Sequence, residues 1–550
     1  MKASDLFVKC LEAEEVEYIF GLPGEENIDL LDSLSRSKIK FINCRHEQGA
    51  AFMAAIYGRL TGKAGVCLST LGPGALNLMT AVADANLGHA PLVAITGQAG
   101  VHRKHKENFQ FVDIVKAFEP ITKWNTGINI ASVIPEVIRK AFKVAEMEKP
   151  GATHIELPED VAKHDVNGIP FQKNRVRRPS ADSKALDMAA ELIRQSKSPL
   201  ILSGNGSMRT RVSNQLREFV EQLGIHAVQT QMGKGALGAK NKYSLLSVFS
   251  NTGLHKEDIY YCAFSKADLV ITLGYDESEI PASNWNFKKD KKIVHIDFTP
   301  SEVEEYYNPT IEVVGDISNT LRALKERLQG EKKKDTKYFF ELRKKIVESY
   351  DKEEKNTSFP LKPQYILSEV RKQMGNTDIL ISDVGAHKIW VARNYEAYEP
   401  NTCIIDNALA SMGVALPGAI AAKLVHPDKK VVAICGDGGF LMNVQELETA
   451  KRLGNPFVVV IFNDNKYGMI EWKQHNAFGH SYGIDFTNPD FVKLAESFGL
   501  KGVRVNKTAD FSKILKKALD DKKNIWIIDA PIDFKENFML TKKQGNVCPV

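Results

Sequence analysis

Residues 431–465 read VVAICGDGGFLMNVQELETAKRLGNPFVVVIFNDN, and this stretch decides the fold class. The runs VVAIC and FVVVIF are short, apolar and rich in β-branched residues, which predicts two buried strands. Between them, residues 444–453 carry apolar or small side chains at helical spacing, so a helix connects the strands. Strands joined in this way are parallel, and their carboxyl ends meet at one edge of the sheet.

Polar residues follow each of these two predicted strands. The first is followed by GDG (436–438), and after 24 intervening residues (439–462) the second is followed by Asn463 and Asp464. Glycines allow the backbone to approach a phosphate closely, and Asp437 and Asp464 can share a hard cation such as Mg²⁺. A plain turn and an Asx-rich loop are the alternative. The spacing is similar to the signature of thiamine-diphosphate enzymes, so we expect a metal and phosphate site here.

The same alternation of apolar runs and helical patterns extends over the whole chain. Further buried strands are predicted at 64–69, 92–96, 153–157, 200–203, 269–273, 293–296, 379–381 and 525–528, beside 431–434 and 457–462. Buried strands that alternate with helices are typical of parallel sheets covered on both faces. We therefore predict an α/β protein whose domains each contain a parallel sheet flanked by helices.

Two polar stretches divide the chain into three such domains. Residues 161–185 are polar, basic and contain prolines, as expected of a surface linker. Residues 331–363 are densely charged and end in a proline-containing segment, which predicts an exposed helix followed by a linker. The predicted domains are 1–160, 186–330 and 364–550.

The composition excludes several classes of protein. The 73 Lys and Arg against 68 Asp and Glu leave a net charge of +5 over 550 residues, which argues against nucleic-acid binding. No apolar run reaches the roughly 18–20 residues of a membrane span, and no signal peptide is expected. The seven cysteines form no Cys-x-x-Cys pair and lie mostly in apolar stretches. We therefore expect reduced core thiols and a cytoplasmic protein.

A candidate catalytic carboxylate lies in RHEQGAAFM (45–53), where charged residues lead into an Ala-rich helix. Thiamine diphosphate needs a carboxyl group to exchange a proton with its aminopyrimidine ring, and Glu47 opens this helix without a Lys neighbour. The alternative is an acidic residue that complements the helix dipole. In combination with the metal signature, we expect Glu47 to be catalytic.

The chain resembles the acetohydroxyacid synthase family, and within it the catabolic acetolactate synthases, over nearly its whole length. The resemblance runs from FGLPGEEN (20–27) to IDAP (528–531). The other motifs that carry it are RHEQGAAFMA (45–54), GRLTGKAGV (58–66), LGPGALN (71–77), PITKW (120–124), LGYDESE (273–279), DVGAHKIWVAR (383–393), SMGVALPGAI (411–420), GDGGFLMNVQELETAKRL (436–453) and FNDNKYGMI (462–470).

This resemblance implies a role for each domain. Residues 1–160 would bind the pyrimidine, 186–330 would form a central domain, and 364–550 would bind the diphosphate and Mg²⁺. It also implies a homodimer or homotetramer with active sites between subunits, in which Glu47 of one chain meets the cofactor held by another.

The resemblance implies ligands for both groups. Asp437, Asp464 and the backbone carbonyl of Lys466 would hold Mg²⁺. The residues that would contact the cofactor are Ala386, His387, Met412, Gly438, Gly439 and Met469. Met412 would wedge between the two rings of the cofactor, and a gap-filling core methionine is the alternative.

The implied activity is decarboxylation of one pyruvate on thiamine diphosphate and ligation of the hydroxyethyl unit to a second pyruvate, giving 2-acetolactate and CO₂. Non-oxidative 2-oxo-acid decarboxylases are one alternative, but they carry an adjacent His-His pair, whereas His102 and His105 are separated. Phe109-Gln110 instead resembles the Phe-Gln pair of the synthases. The two histidines fit a polar loop, with a proton relay as the other interpretation. A degenerate cofactor-binding scaffold is disfavoured by the intact acid and metal residues.

The remaining predictions concern the acceptor, FAD and partners. Lys473 stands where catabolic relatives often carry Gln, and it either attracts the acceptor carboxylate or points to solvent. The segment 273–279 is acidic and lacks Arg, so we predict that FAD is not required. We expect no nucleic acid, no membrane and no regulatory subunit.

Overall fold

The computed structural model describes residues 1–174, 178–248, 259–540 and 548. Within them, three six-stranded sheets follow one another along the chain, each with parallel strand pairing and flanking helices. This confirms the predicted α/β class with three parallel sheets.

The first sheet has the order β2-β1-β3-β4-β6-β5. Its strands are β1 (Tyr18–Gly21), β2 (Lys40–Asn43), β3 (Gly65–Ser69), β4 (Leu92–Gln98), β5 (Trp124–Gly127) and β6 (Ala152–Pro158). Its helices are α1 (Ala3–Ala13), α2 (Ile28–Leu34), α3 (Glu47–Thr61), α4 (Gly72–Leu87), α5 (Ile114–Phe118), α6 (Ile134–Glu146) and α7 (Glu159–Lys163).

The second sheet has the order β12-β11-β10-β7-β8-β9. Its strands are β7 (Pro199–Ser203), β8 (His226–Gln229), β9 (Ser244–Ser247), β10 (Leu269–Leu273), β11 (Lys292–Asp297) and β12 (Ile311–Val314). Its helices are α8 (Ser183–Gln195), α9 (Thr210–Leu223), α10 (Tyr261–Lys266), α11 (Ile317–Arg327) and α12 (Lys337–Glu354).

The third sheet has the order β14-β13-β15-β16-β18-β17. Its strands are β13 (Ile379–Ser382), β14 (Cys403–Ile405), β15 (Val431–Gly436), β16 (Val458–Asn463), β17 (Lys501–Arg504) and β18 (Trp526–Pro531). Its helices are α13 (Pro363–Gln373), α14 (Ala386–Asn394), α15 (Ala415–Val425), α16 (Asp437–Met442), α17 (Glu446–Leu453), α18 (Gly468–Phe478), α19 (Phe491–Ser497) and α20 (Thr508–Asp520).

The charged stretch before the third domain contains α12. Although it is rich in charge, its Phe339, Leu342 and Ile346 are buried in the hydrophobic core of the central domain. The spacing of three and four residues puts these side chains on one face, so the charges occupy the remaining faces. The predicted helix is therefore present, and one face of it is packed rather than solvated.

The first and third domains share one hydrophobic core. Helix α3 packs against α15, and the shared cluster contains residues of both, including Phe52 and Leu416. Arg59 at the end of α3 adds polar contacts, because its guanidinium donates to the carbonyls of Ile405 (3.3 Å) and of Met232 (3.4 Å) in the central domain. Helix α3 is therefore held in place relative to the third sheet.

The cysteine prediction is wrong for two of the seven residues. Cys262 on α10 and Cys548 form a disulfide. The five free thiols are buried, at Cys10, Cys44, Cys67, Cys403 and Cys435. Residues 262 and 548 lie 286 positions apart in the chain, so no local pattern could indicate the pairing. The expectation of reduced core thiols, on which the cytoplasmic prediction rests, therefore holds for the other five.

No helix in the described part of the chain combines the length and apolar character that a membrane crossing needs.

Candidate active site

Three neighbouring strands of the third sheet end in acidic residues at the same edge. Strands β13, β15 and β16 lie side by side, and Gly436 at the end of β15 pairs with Phe462 of β16. Asp383 follows β13, Asp437 follows β15, and Asp464 follows β16. The structure thus brings together the two aspartates that the sequence motif singled out and adds a third.

Asp437 is buried and accepts hydrogen bonds at both carboxylate oxygens. Oδ1 accepts from the backbone N–H of Gly438 (2.9 Å), and Oδ2 accepts from the backbone N–H of Asn465 (2.7 Å) and the amide of Asn488 (2.7 Å). Burial raises its pKa above the usual value, and these donors oppose the shift. The carboxylate is therefore held in one orientation at the strand end.

Asp464 lies next to this group. Burial, followed by the negative charges of Asp437 and Glu471, raises its pKa to about 8. The ammonium of Lys466 pairs with Glu471, with Nζ 2.7 Å from Oε1. A divalent cation between the two aspartates would remove their repulsion, so these oxygen donors fit a hard metal ion. We call Asp437, Asp464 and Lys466 the cation half-site.

Asn488 belongs to this cluster and was missed by the sequence analysis. Its Nδ2 lies 2.7 Å from Asp437 Oδ2, 3.0 Å from Asn465 Oδ1 and 3.1 Å from Asn463 Oδ1, so three oxygens converge on one donor. No described residue forms a hydrogen bond with its own buried Oδ1. The residue lies in the loop before α19, and no motif spacing connects it with the other residues.

A cation at this half-site would need ligands other than carboxylates. Within the described ranges, no group of three or more His, Cys, Asp or Glu side chains is placed to hold a metal. A cation at Asp437 and Asp464 would therefore complete its ligands with backbone, amide, water or phosphate oxygens, as Mg²⁺ commonly does.

Two helices begin beside the cation half-site, α14 at Ala386 and α16 at Asp437. Backbone amides at a helix start favour a phosphate. A Cβ on Gly438 would lie 3.0 Å from the Tyr467 ring, and one on Gly439 would lie 3.2 Å from the Asp383 carboxylate. The two glycines therefore keep this backbone clear of side-chain atoms, as a phosphate cradle requires.

His387 is buried in the first turn of α14. Burial lowers its pKa to about 3, so the imidazole is neutral. Its buried Nε2 has no hydrogen-bond partner among the described residues, and its ring meets the Phe462 ring at 66°, with the centroids 6.0 Å apart. A buried donor or acceptor without a partner fits a site that a polar ligand completes.

Asp383 is a second residue that the sequence analysis missed, although it lies in the motif DVGAHKIWVAR. It is fully buried, and burial raises its pKa to about 6. Oδ1 accepts from the backbone N–H groups of Val384 (2.7 Å) and Gly413 (2.8 Å), whereas the buried Oδ2 has no partner in the part of the chain that the structure describes.

The hydrogen bonds of Asp383 also position Met412, which is predicted to wedge between the two rings of the cofactor. Its neighbour Gly413 has φ +93°, a conformation that favours glycine, and its carbonyl accepts from Asn443 Nδ2 (2.9 Å). Because Asp383 and Asn443 both hold Gly413, the half-buried Met412 is presented from a constrained loop.

Helix α18 carries the remaining predicted residues of the third domain. Met469 is half-buried and packs against the domain core, Trp472 is buried, and Lys473 is exposed. Trp472 is thus turned into the domain core, whereas Lys473 faces solvent.

The residues predicted in the first domain form a separate group around α4. Glu47, at the start of α3, is 8% exposed and accepts at Oε2 from Asn77 Nδ2 (3.0 Å). Gln110, with φ +55°, lies against the start of α4, where a Cβ on Gly72 would come within 2.4 Å of its carbonyl oxygen. Phe109 beside it is 72% exposed. We call Glu47, Phe109 and Gln110 the acid half-site.

The structure does not join the two half-sites within one chain by a side-chain hydrogen bond. In the described residues, Glu47 bonds to Asn77, and Asp437 bonds only to residues of its own domain. The two histidines of the nearby loop are exposed, and His102 lies 3.3 Å from Asp160.

A crevice between the first and central domains lies where the sheet order reverses, between β7 and β10. Three ion pairs lie here: His89 Nε2 is 2.7 Å from Asp276 Oδ2, Lys149 Nζ is 3.3 Å from Asp297 Oδ2, and Arg209 Nη2 is 3.3 Å from Glu148 Oε2. The backbone N–H of Asn205, in the glycine turn after β7, donates to Glu279 (2.9 Å). That N–H group therefore already has an acceptor, a carboxylate of the chain itself.

Comparisons with known proteins agree with this arrangement. Family models of thiamine pyrophosphate enzymes match three segments: the N-terminal TPP binding domain matches residues 1–117, the central domain 186–324, and the C-terminal TPP binding domain 383–530. The acetolactate synthase of Bacillus subtilis (strain 168) is 34% identical, over 98% of this chain and 94% of that protein.

Two further relatives show similar agreement. The catabolic acetolactate synthase of Raoultella terrigena is 34% identical over 98% of this chain and 96% of its own length. The probable acetolactate synthase large subunit of Methanocaldococcus jannaschii is 34% identical over 100% of this chain and 94% of its own length.

Proposed function

The chain belongs to the acetolactate synthase family of thiamine pyrophosphate enzymes, and from this premise we propose that it condenses two molecules of pyruvate to 2-acetolactate and CO₂. One observation carries the proposal. Asp437 and Asp464, at the ends of adjacent strands, lie beside two helix starts, while Glu47 lies buried at the start of a helix in another domain. Thiamine-dependent chemistry needs a cation site, backbone amides for the phosphates and an acid, and these residues are candidates for all three.

The residues present fit thiamine diphosphate and Mg²⁺. Two buried atoms have no hydrogen-bond partner among the described residues: Asp383 Oδ2, which borders Gly439 of the predicted phosphate cradle, and Nε2 of His387, whose ring borders Gly436. Asp437, Asp464 and the carbonyl of Lys466 would hold the cation, and the amides of Ala386, His387, Gly438 and Gly439 would hold the diphosphate. When bound, the cofactor supplies the electron sink that allows CO₂ to leave.

The side chains of the protein have separate tasks in this proposal. The Glu47 carboxyl would exchange a proton with the aminopyrimidine of the cofactor, and its contact with Asn77 keeps it in place. Met412 would set the cofactor conformation from the loop that Asp383 holds. Phe109 and Gln110 would border the acceptor, and excluding water there favours ligation over protonation. Met469 would contact the cofactor, and Lys473 is a candidate partner for the acceptor carboxylate.

A second copy of the chain would complete each site. Glu47 of one chain would then serve the cofactor of the other, as a homodimer or homotetramer allows. The exposed apolar residues near both half-sites support this proposal, since Phe109 is 72% exposed, Ile470 48% and Met442 44%. Apolar surface of this kind is typical of an interface.

The family matches support the proposed division of labour among domains. We propose that 1–160 binds the pyrimidine, that 186–330 is the central domain, and that 364–550 binds diphosphate and Mg²⁺, with 161–185 and 331–363 as connections. The matched segments fall inside these three ranges.

The product from pyruvate tests the proposed activity. With thiamine diphosphate and Mg²⁺, we expect the purified protein alone to form 2-acetolactate as the main product, without a regulatory subunit. Nuclear magnetic resonance of the reaction mixture separates acetolactate from acetaldehyde. Acetaldehyde without acetolactate would identify a 2-oxo-acid decarboxylase, and cofactor binding without any turnover would identify a scaffold. A competition with 2-oxobutyrate as second acceptor measures acceptor preference in the same assay.

We predict that FAD does not change the rate. The crevice where a flavin nucleotide would be expected holds three ion pairs, and an amide of its glycine turn donates to Glu279. We expect the purified protein to lack flavin absorbance and the rate to be the same with and without added FAD. A rise in rate on adding FAD, with flavin bound after desalting, would contradict this.

A further inference from the structure

A buried carboxylate of the third domain caps the helix that carries Glu47. Glu446, the first residue of α17, is fully buried. Its Oε1 accepts from the backbone N–H groups of Arg45 (3.1 Å) and His46 (3.0 Å), which directly precede Glu47. The two hydrogen bonds cross from one domain to another and end one residue before the proposed acid.

The contact is closely fitted. A Cβ on Gly49, in the first turn of α3, would lie 2.7 Å from Glu446 Oε1, so only glycine allows this approach. The other carboxylate oxygen, Oε2, accepts from the hydroxyl of Thr449 (2.7 Å), which fixes the rotation of the carboxylate. Burial raises the pKa of Glu446, and the hydrogen bonds from Thr449 and the two amides oppose that shift.

The N-terminus of α3 is thus held by two groups at once. His46 caps it locally, because Nδ1 accepts from the Gln48 N–H (3.1 Å), and Glu446 holds the two residues before Glu47. A local cap alone would stabilise the helix. The second contact is interdomain. It connects the backbone at Glu47 to residues 437–446, which comprise α16 and the start of α17.

We propose that Glu446 is a positioning residue that sets Glu47 for proton transfer, and that it thereby connects the cation half-site of one chain to the acid that serves the cofactor of its partner. The inference rests on the proposed function, in which Glu47 acts across the subunit boundary. One segment of ten residues then holds the metal ligand Asp437 for its own site and orients the acid for the other site.

The first test measures proton transfer separately from turnover. We expect Glu446→Gln to slow exchange of the C2 proton of bound thiamine diphosphate in D₂O on the order of 100-fold, because small misplacements of a reacting group have effects of this size. Cofactor affinity should stay close to that of the wild type, so kcat falls while the dissociation constant of the cofactor does not rise.

Two control variants separate positioning from stability. Asp316→Asn alters another buried carboxylate at a helix start, in the central domain: Asp316 caps α11 by accepting from the Asn319 N–H (2.8 Å) and forms an ion pair with Arg178 (3.3 Å), which asparagine would lose. Thr449→Val removes only the hydroxyl that orients Glu446. We expect normal exchange in Asp316→Asn and a smaller slowing in Thr449→Val. If Glu446→Gln loses thermal stability as Asp316→Asn does but keeps the wild-type exchange rate, Glu446 is a structural cap only and the proposal is overturned.

The second test uses mixed dimers in which the two chains carry different tags. A dimer of one Glu47→Gln chain and one Asp437→Asn chain serves as the reference. If Glu47 acts across the boundary, one site keeps both its metal ligand and its acid, and about half of the wild-type activity remains. If this reference dimer is inactive, the proposed cross-subunit site itself fails, independently of Glu446.

Glu446→Gln is then placed either opposite Asp437→Asn or in the same chain. Opposite, the intact cation half-site is served by the chain with wild-type Glu446, so we expect about half of the wild-type activity. In the same chain, the intact cation half-site receives the mispositioned Glu47, so activity should fall on the order of 100-fold further. The reverse order would show that Glu446 acts on its own cation half-site, and equal activity in the two arrangements would show no directed coupling; either result overturns the proposal.

Discussion

Glu47→Gln is expected to lower the rate of acetolactate formation by about 10²–10⁴-fold, the range that general acid–base catalysis contributes. Glutamine keeps the shape of the side chain and can still bond to Asn77, but it cannot exchange a proton with the aminopyrimidine. Thiamine diphosphate and Mg²⁺ should therefore still bind. Turnover and cofactor affinity are measured on the same preparation, the latter by calorimetry.

A matched control distinguishes catalysis from helix stabilisation. Glu159 is likewise the first residue of a helix in the same domain, and it forms an ion pair with Lys163. If Glu47 served only the helix dipole, both Glu→Gln changes would cost about 0.3–1 kcal/mol of stability and leave turnover intact. Normal turnover in Glu47→Gln would remove Glu47 from the mechanism.

Asp437→Asn should abolish most activity by a different route, through loss of the cation. The carboxylate oxygens accept from three N–H donors, so an amide NH₂ at either oxygen position would face at least one of them, and the negative charge is lost as well. Loss of a group that only supports a metal ligand weakens metal binding by ~10–100-fold. Because Asp437 would itself be a ligand, we expect Mg²⁺-dependent cofactor binding to weaken by more than this.

Asp490→Asn is the control for this change. Asp490 lies in the same region, where it caps α19 by accepting from the N–H groups of Val492 and Lys493. Asparagine caps a helix about as well as aspartate, so binding should not change. Calorimetric titration with Mg²⁺ and thiamine diphosphate measures both variants; unchanged affinity in Asp437→Asn would show that the cation is held elsewhere.

Most interior strands of the three sheets could be predicted from sequence, whereas none of the six edge strands was. All ten predicted runs are strands in the structure. Strands that were missed include β2 (KFIN) and β17 (KGVR), each four residues long with exposed positions at a sheet edge. A strand covered on both faces has a continuous apolar run, but an edge strand resembles a polar loop.

The residues of the candidate site likewise divide into those that the sequence could predict and those that it could not. Asp437 and Asp464 were predictable because each directly follows a buried strand and a helical pattern connects the two strands. Asn488 was missed because it reaches the same oxygens from a loop that has no periodic pattern. Glu446 was quoted only as part of a motif, since its partners Arg45 and His46 lie 401 and 400 residues away.

The sequence by itself determined the three α/β domains, the family and the residues proposed for chemistry. Each of these depends on local hydrophobic patterns or on short motifs, most of them at the ends of single strands. Only the tertiary structure decided which distant groups meet: the disulfide of Cys262 with Cys548, the convergence of three oxygens on Asn488, and the interdomain bonds from Arg45 and His46 to Glu446. Such contacts depend on how helices and sheets pack against one another. Packing fixes distances between residues that no spacing in the chain records.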